Sequence, residues 1–188
     1  MDKKTVIFLD RDGTINRKAG PHSYVTKWED FKLLPGVAEA IRLCNEREWP
    51  VAVITNQRCV ARGLSTLSEI EALHERVNLE LKKTGAHIDA FFICPHAVGE
   101  CTCRKPEAGL FYKAEEWLKS LGISVDKDRS YMIGDAASDM AAGKKYGIRT
   151  VYLNETVPEE KITDADLICK DLHEAVRSII DKGERNGL

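Results

Sequence analysis

The chain has no apolar run long enough to cross a membrane, and its opening MDKKTVIFLD is too short for a secretory core and lacks a small-residue cleavage site. A cytoplasmic protein without a membrane partner is expected. A basic stripe is also missing: 28 Lys and Arg are interleaved with 30 Asp and Glu, for a net charge of -2. That balance argues against a nucleic-acid partner, so an anionic substrate must be attracted by a few local cations. No internal repeat, low-complexity tract or interdomain linker interrupts the sequence. The 188 residues, 43% of them hydrophobic, are therefore expected to form one domain, 1–188, acting as a monomer. The tail from Lys182 to Leu188 is expected to fray.

Short β-branched runs are present at Thr5 to Leu9, Val51 to Ile54, Ala90 to Ile93, Tyr131 to Ile133 and Thr150 to Leu153, and they read as buried strands. Between them lie segments with helical spacing: Val37 to Cys44, Leu67 to Leu81, Leu110 to Leu121, Ser138 to Tyr146 and Leu172 to Ile180. Pro35 and Gly36 mark one helix entry, while Gly85, Gly122 and Gly147 fall where helices should stop. Alternation of this kind predicts an α/β fold: a Rossmann-like parallel sheet with helices on both faces and ligands at the strands' carboxyl ends. Three polar positions fall at that edge: Asp10 after VIFL, Thr55 after VAVI and Asp135 after YMIG. Neither the stretch after Asp10 nor that between Thr55 and Lys105 has room for a large cap domain.

The string DRDGT, Asp10 to Thr14, sets two carboxylates two residues apart at a strand end. Aspartates there often just cap a turn. A second acidic set in GDAASD (Asp135, Asp139), a hydroxyl at Thr55 and an ammonium at Lys105 point instead to phosphoryl chemistry. A carboxylate can attack phosphorus once a divalent cation and a positioned lysine offset the repulsion, and clustered carboxylates suit Mg²⁺. Asp139 fits metal support and an ordinary place in the first turn of a helix equally well. Asn16, Gln57, Arg58, Arg62 and Arg104 are available for hydroxyls or a distal phosphate, although Arg58 and Arg62 read equally well as a solvated pair. His22 is placed in the entrance loop; no histidine is assigned a catalytic role.

Six cysteines in a short chain can signal disulfides, but Cys94, Cys101 and Cys103 cluster with His96 in CPHAVGECTCRKP. One imidazole and three thiolates form a closed tetrahedral set for structural Zn²⁺, which would preorganise Arg104 and Lys105 immediately downstream. Reduced thiols or a Cys101–Cys103 redox pair are the competing readings.

DRDGT, TNQ, RKP and GDAASD, in that order, resemble the four motifs of the haloacid dehalogenase-like phosphohydrolases. The likeness spans nearly the whole chain. DRDGTIN, the TNQ followed by VARG, and the cysteine-rich CRKP resemble more narrowly the group of heptose bisphosphate phosphatases and the histidinol phosphatase domain. Two departures stand out: Arg58 and Cys59 follow TNQ where relatives often have Ser-Gly, and only Ala97 to Glu100 separate His96 from Cys101. The resemblance implies that Asp10 is the nucleophile and Asp12 the general acid and base. It implies Mg²⁺ on Asp10, Asp135 and the main-chain carbonyl of Asp12. Thr55, Asn56 and Lys105 would bind the transferring phosphoryl group, with Gln57 and Arg104 on the substrate. The implied substrate is a small phosphorylated metabolite, foremost a sugar bisphosphate, with histidinol phosphate second. A zinc-stabilised binding protein without turnover, and phosphoryl transfer to an alcohol, are the competing functions.

Overall fold

The computed structural model describes residues 1–21, 23–154 and 165–185; His22 and the end of the tail lie outside them. In chain order come β1 (Asp2–Lys4), β2 (Ile7–Leu9), α1 (Val37–Asn45), β3 (Val51–Asn56), α2 (Arg58–Ala61) and α3 (Leu67–Lys82). Then follow β4 (Ala90–Cys94), α4 (Gly109–Ser120), β5 (Ile123–Val125), β6 (Tyr131–Gly134), α5 (Ala137–Tyr146), β7 (Arg149–Leu153), β8 (Leu167–Cys169) and α6 (Leu172–Arg185).

Six strands form one sheet in the order β4-β3-β2-β6-β7-β8, and every pairing is parallel. Strand periodicity explains why helices cover both faces. Ile7, Leu9, Val51, Val53, Ile133 and Val151 point to one side and pack with α1, α3 and α6. Their neighbours Val6, Phe8, Ala52, Ile54 and Met132 point to the other and meet α4 and α5, where Phe111 and Tyr146 close on Phe8.

The helix boundaries have local causes. Thr66 and Glu69 form a reciprocal capping box at the start of α3, each side chain accepting from the other's amide. Gly147 ends α5 at φ 89°, a left-handed value that a residue with a Cβ would resist.

Several elements differ from the sequence reading. β1 and β5 make a separate two-stranded pair, β8 extends the sheet by three residues and α2 is a single turn. Each is too short to show a period, and β1 reads Asp-Lys-Lys. α6 continues to Arg185, past the point where fraying was expected. The sheet's carboxyl end carries no large cap among the described residues, and no described helix is long and apolar enough to cross a membrane.

Candidate active site

Asp10 follows β2 directly, its amide donating to the Ile133 carbonyl at 3.0 Å, so the central pair β2–β6 fixes where the loop begins. The chain then folds tightly on itself. The amides of Thr14, Ile15 and Asn16 all point at the Arg11 carbonyl. Gly13 sits at φ 91°, and a Cβ there would lie 2.0 Å from Asp135 Oδ2 and 2.8 Å from Lys18 Cε. The glycine thus supplies space as well as conformation.

Lys105 reaches this point from the other side. Its ammonium donates to Asp10 Oδ1 at 2.7 Å and to the Ile54 carbonyl at 2.7 Å, and lies 2.6 Å from Asp139 Oδ1. Three acceptors match its three donors. Burial works against the charge, but Asp10 and Asp139 outweigh it and hold the Lys105 pKa above its usual value. Burial likewise pushes Asp10 up, to about 6, against the pull of Lys105. Asn56 clamps the same residue from behind: its side chain accepts from the Lys105 amide and donates to the Lys105 carbonyl, both at 3.1 Å.

Asp12 is held quite differently. Arg11 Nη2 donates to its two oxygens at 2.7 and 2.8 Å, Asn16 Nδ2 to Oδ1 at 2.9 Å and Gln57 Nε2 to Oδ2 at 3.0 Å. Burial would raise the Asp12 pKa, yet the Arg11 charge and these hydrogen bonds prevail and hold it below the usual carboxylate range. Gln57 also donates to Thr55 Oγ1 at 2.8 Å, which leaves the threonine hydroxyl hydrogen for another acceptor. The side-chain nitrogens of Asn16, Asn56 and Gln57, residues expected on the substrate, are thus engaged inside the protein, while Asn16 Oδ1 is buried without a hydrogen-bond partner among the described residues. Arg104 is half-buried, one guanidinium nitrogen 3.3 Å from the His96 carbonyl.

Asp10, Asp135 and Asp139 each offer a carboxylate oxygen within 4.8 Å of the others. Asp135 Oδ1 is buried and finds no hydrogen-bond partner among the described residues, the condition of an oxygen suited to a cation. The other oxygen, Oδ2, meets the Lys18 ammonium at 2.5 Å. The donor set and the orphaned oxygen fit a hard divalent ion. Asp139 takes the helix-start place foreseen for it, Oδ2 accepting from the Ala136 amide at the start of α5, while Oδ1 faces Lys105.

The second cluster lies just beyond β4. Cys94 Sγ is 3.6 Å from Cys101 Sγ and 3.7 Å from His96 Nδ1; Cys103 Sγ is 3.2 Å from Cys101 Sγ and 3.5 Å from His96 Nδ1. A tetrahedron with metal–sulfur bonds of about 2.3 Å has sulfur–sulfur edges of about 3.8 Å, close to these separations. All the cysteines are free. Burial pushes the Cys103 thiol up to about 12, whereas hydrogen bonds from Cys103 overcome burial at Cys101 and bring it to about 7.

Comparison with known proteins agrees with this geometry. The family described as polynucleotide kinase 3 phosphatase matches residues 5–173. A D-glycero-beta-D-manno-heptose-1,7-bisphosphate 7-phosphatase from Haemophilus ducreyi is 34% identical over 184 residues, 92% of this chain and 97% of that relative. Its counterpart from Rhodopseudomonas palustris is 39% identical over 155 residues, 78% and 81% of the two chains. The chain belongs to the haloacid dehalogenase-like phosphatases, in the heptose bisphosphate phosphatase group.

The phosphatase also superposes on the D,D-heptose 1,7-bisphosphate phosphatase from B. bronchiseptica, with a TM-score of 0.83 at 27% identity, covering 95% of this chain and 99% of that one. That structure was determined with magnesium and phosphate bound. Three residues of this site had no assigned role in the sequence reading: Arg11, His74 and Lys18. Arg11 stood inside DRDGT, and its near-complete burial was the signal that sequence could not give.

Proposed function

We propose that this phosphatase removes the C7 phosphate of D-glycero-D-manno-heptose 1,7-bisphosphate through a phosphorylated Asp10. The observation that carries the chemistry is the meeting of Asp10, Lys105, Asp135 and Asp139 at the carboxyl end of β2, β3 and β6. The substrate is inferred from relatives of that name, alike over almost their full length.

Burial raises the Asp10 pKa, but the Lys105 ammonium at 2.7 Å favours the carboxylate, the form that attacks phosphorus. Mg²⁺ held by Asp10, Asp135 and the main-chain carbonyl of Asp12 would supply the charge that offsets repulsion between carboxylate and phosphoryl oxygens. Lys105 meets a phosphoryl oxygen by exchanging one of its acceptors, and Thr55 donates its unused hydroxyl hydrogen. Asn56 acts on the phosphoryl group through Lys105, whose main chain it fixes.

Asp12 protonates the departing sugar oxygen, then accepts a proton from the water that hydrolyses the phosphoaspartate. Alone it is an anion; a phosphate dianion beside it favours the protonated form, so its proton arrives with the substrate. Arg104 contacts the sugar bisphosphate, while Asn16 and Gln57 keep Asp12 in register. Cys94, His96, Cys101 and Cys103 would hold Zn²⁺, which would tie down the loop that delivers Arg104 and Lys105.

With a net charge of -2 and no basic stripe, a small metabolite suits this chain better than a polynucleotide, despite the name of the matched family. The same reading keeps it a cytoplasmic monomer of one domain. A phosphate-release panel tests the substrate: both anomers of the heptose bisphosphate, histidinol phosphate and a 3′-phosphorylated oligonucleotide, each with Mg²⁺. Preference for a heptose bisphosphate is expected. Preference for histidinol phosphate or the oligonucleotide would reject the assignment, and inactivity on all four would favour a binding protein.

A further inference from the structure

Asp12 rests on a residue that is itself held from behind. The Arg11 guanidinium is sealed in the interior, 1% exposed, with Nη2 shared between Asp12 and the Val25 carbonyl at 2.8 Å. Its Nη1 lies 3.3 Å from His74 Nε2. A guanidinium can only donate, so Nε2 accepts and the ring proton sits on Nδ1. That nitrogen has no hydrogen-bond partner among the described residues.

His74 lies on the buried face of α3, in line with Ile70, Leu73 and Val77. An apolar side chain would satisfy that position as far as packing is concerned. The ring stacks on Phe91 of β4, with centroids 4.5 Å apart and planes at 16°, which fixes its orientation. Among the described residues, the imidazole's hydrogen-bond contact is with Arg11.

We propose that His74 is a positioning residue for proton transfer: by accepting from Arg11 Nη1 it aims Nη2 at both oxygens of Asp12. Phe91 holds the imidazole plane, the imidazole holds the guanidinium, and the guanidinium holds the carboxylate. This inference rests on Asp12 being the acid of the first step.

Leaving-group dependence separates positioning from general structural support. A sugar alkoxide leaves poorly without a proton, whereas p-nitrophenolate leaves nearly unaided. The kcat/KM value covers transfer to Asp10 and not hydrolysis of the phosphoenzyme, so it isolates the protonated step. His74→Phe keeps the aromatic ring and its stack but removes the acceptor. It is expected to lower kcat/KM for the heptose bisphosphate by about 10-fold or more, mostly in kcat, and that for p-nitrophenyl phosphate by no more than about threefold. His74→Gln, which restores an acceptor, is expected to recover most of the loss. Equal losses on both substrates, or no loss in His74→Phe, would overturn the proposal, as would failure of His74→Gln to recover activity if His74→Phe does not fold. Asp12→Asn separates the two readings. If it shows the leaving-group bias and His74→Phe does not, only the role of His74 falls; if it shows none, the acid assignment falls as well.

Discussion

Lys105 Nζ lies 2.7 Å from Asp10 Oδ1, although 95 positions separate the two residues in the chain. The ammonium is nearly inaccessible, with a side-chain exposure of 2%, and Asp139, its other carboxylate partner, is at 1%. Removing one member of such a buried group leaves the others uncompensated. Lys105→Met should therefore lose about 3 kcal/mol or more of stability. Its turnover should fall about 10²-fold to 10³-fold, as when a donor to a developing charge is lost. Denaturant unfolding and steady-state kinetics check both. A variant of wild-type stability would show that the charges are not mutually dependent.

The space at Gly13 makes a second prediction. In Gly13→Ala the new methyl would strike Asp135 Oδ2 and push against Lys18, at a backbone angle that disfavours any Cβ. The Mg²⁺ midpoint of activity should rise about 10-fold, corresponding to about 1.4 kcal/mol of lost metal affinity. Lys18→Met should act in the opposite direction, because the Lys18 ammonium competes with the cation for Asp135. Calorimetric titration of the metal-free protein with Mg²⁺ measures both shifts, and equal affinities in the three proteins would contradict the assignment.

Zinc makes the third. Freshly prepared protein should contain about one zinc per chain by elemental analysis. Cys101→Ser should lose the metal and about 2 kcal/mol or more of stability. Activity should decline with it, because the loop that ends at Cys103 leads straight into Arg104 and Lys105. Metal-free wild-type protein with an unchanged melting temperature would refute a structural role.

The fourth concerns acid. Burial, with a smaller contribution from Arg11, pushes His74 down from 6.5 to about 3. The folded state keeps this ring neutral while the unfolded chain protonates it near pH 6.5, so its contribution to stability is complete above that value and declines as pH falls toward 3. Going from pH 7.5 to pH 5 should cost about 2 kcal/mol through this residue. His74→Phe should show correspondingly less acid destabilisation, measured by denaturant unfolding at the two pH values. An unchanged pH dependence would mean that His74 is protonated in the folded protein.

What could be read from sequence followed physical visibility. Asp10, Thr55 and Asp135 were legible because the apolar run of a strand stops just before each of them and parallel sheets present such ends together. The cysteine cluster was legible because its three thiols and one imidazole lie within ten residues. Asn56 and Gln57 were expected on the substrate; that each also holds a neighbour in place was not legible, because which way a side chain turns at a strand end depends on what approaches it. Lys105 and Asp12 take their amides. Arg11 and His74 were silent because a surface arginine and a buried one are spelled alike, and their contact spans 63 positions. β1 and β8 stayed hidden because three residues cannot display a period.

The covalent role of Asp10 is tested most directly by rapid acid quench of the enzyme with heptose 1,7-bisphosphate carrying radiolabel in the C7 phosphate, followed by mapping of the labelled peptide. The label should appear on Asp10 within a single turnover, vanish on treatment with hydroxylamine, and be absent from Asp10→Asn, which should also lack turnover. Label on another residue, or phosphate release by Asp10→Asn at the wild-type rate, would contradict it.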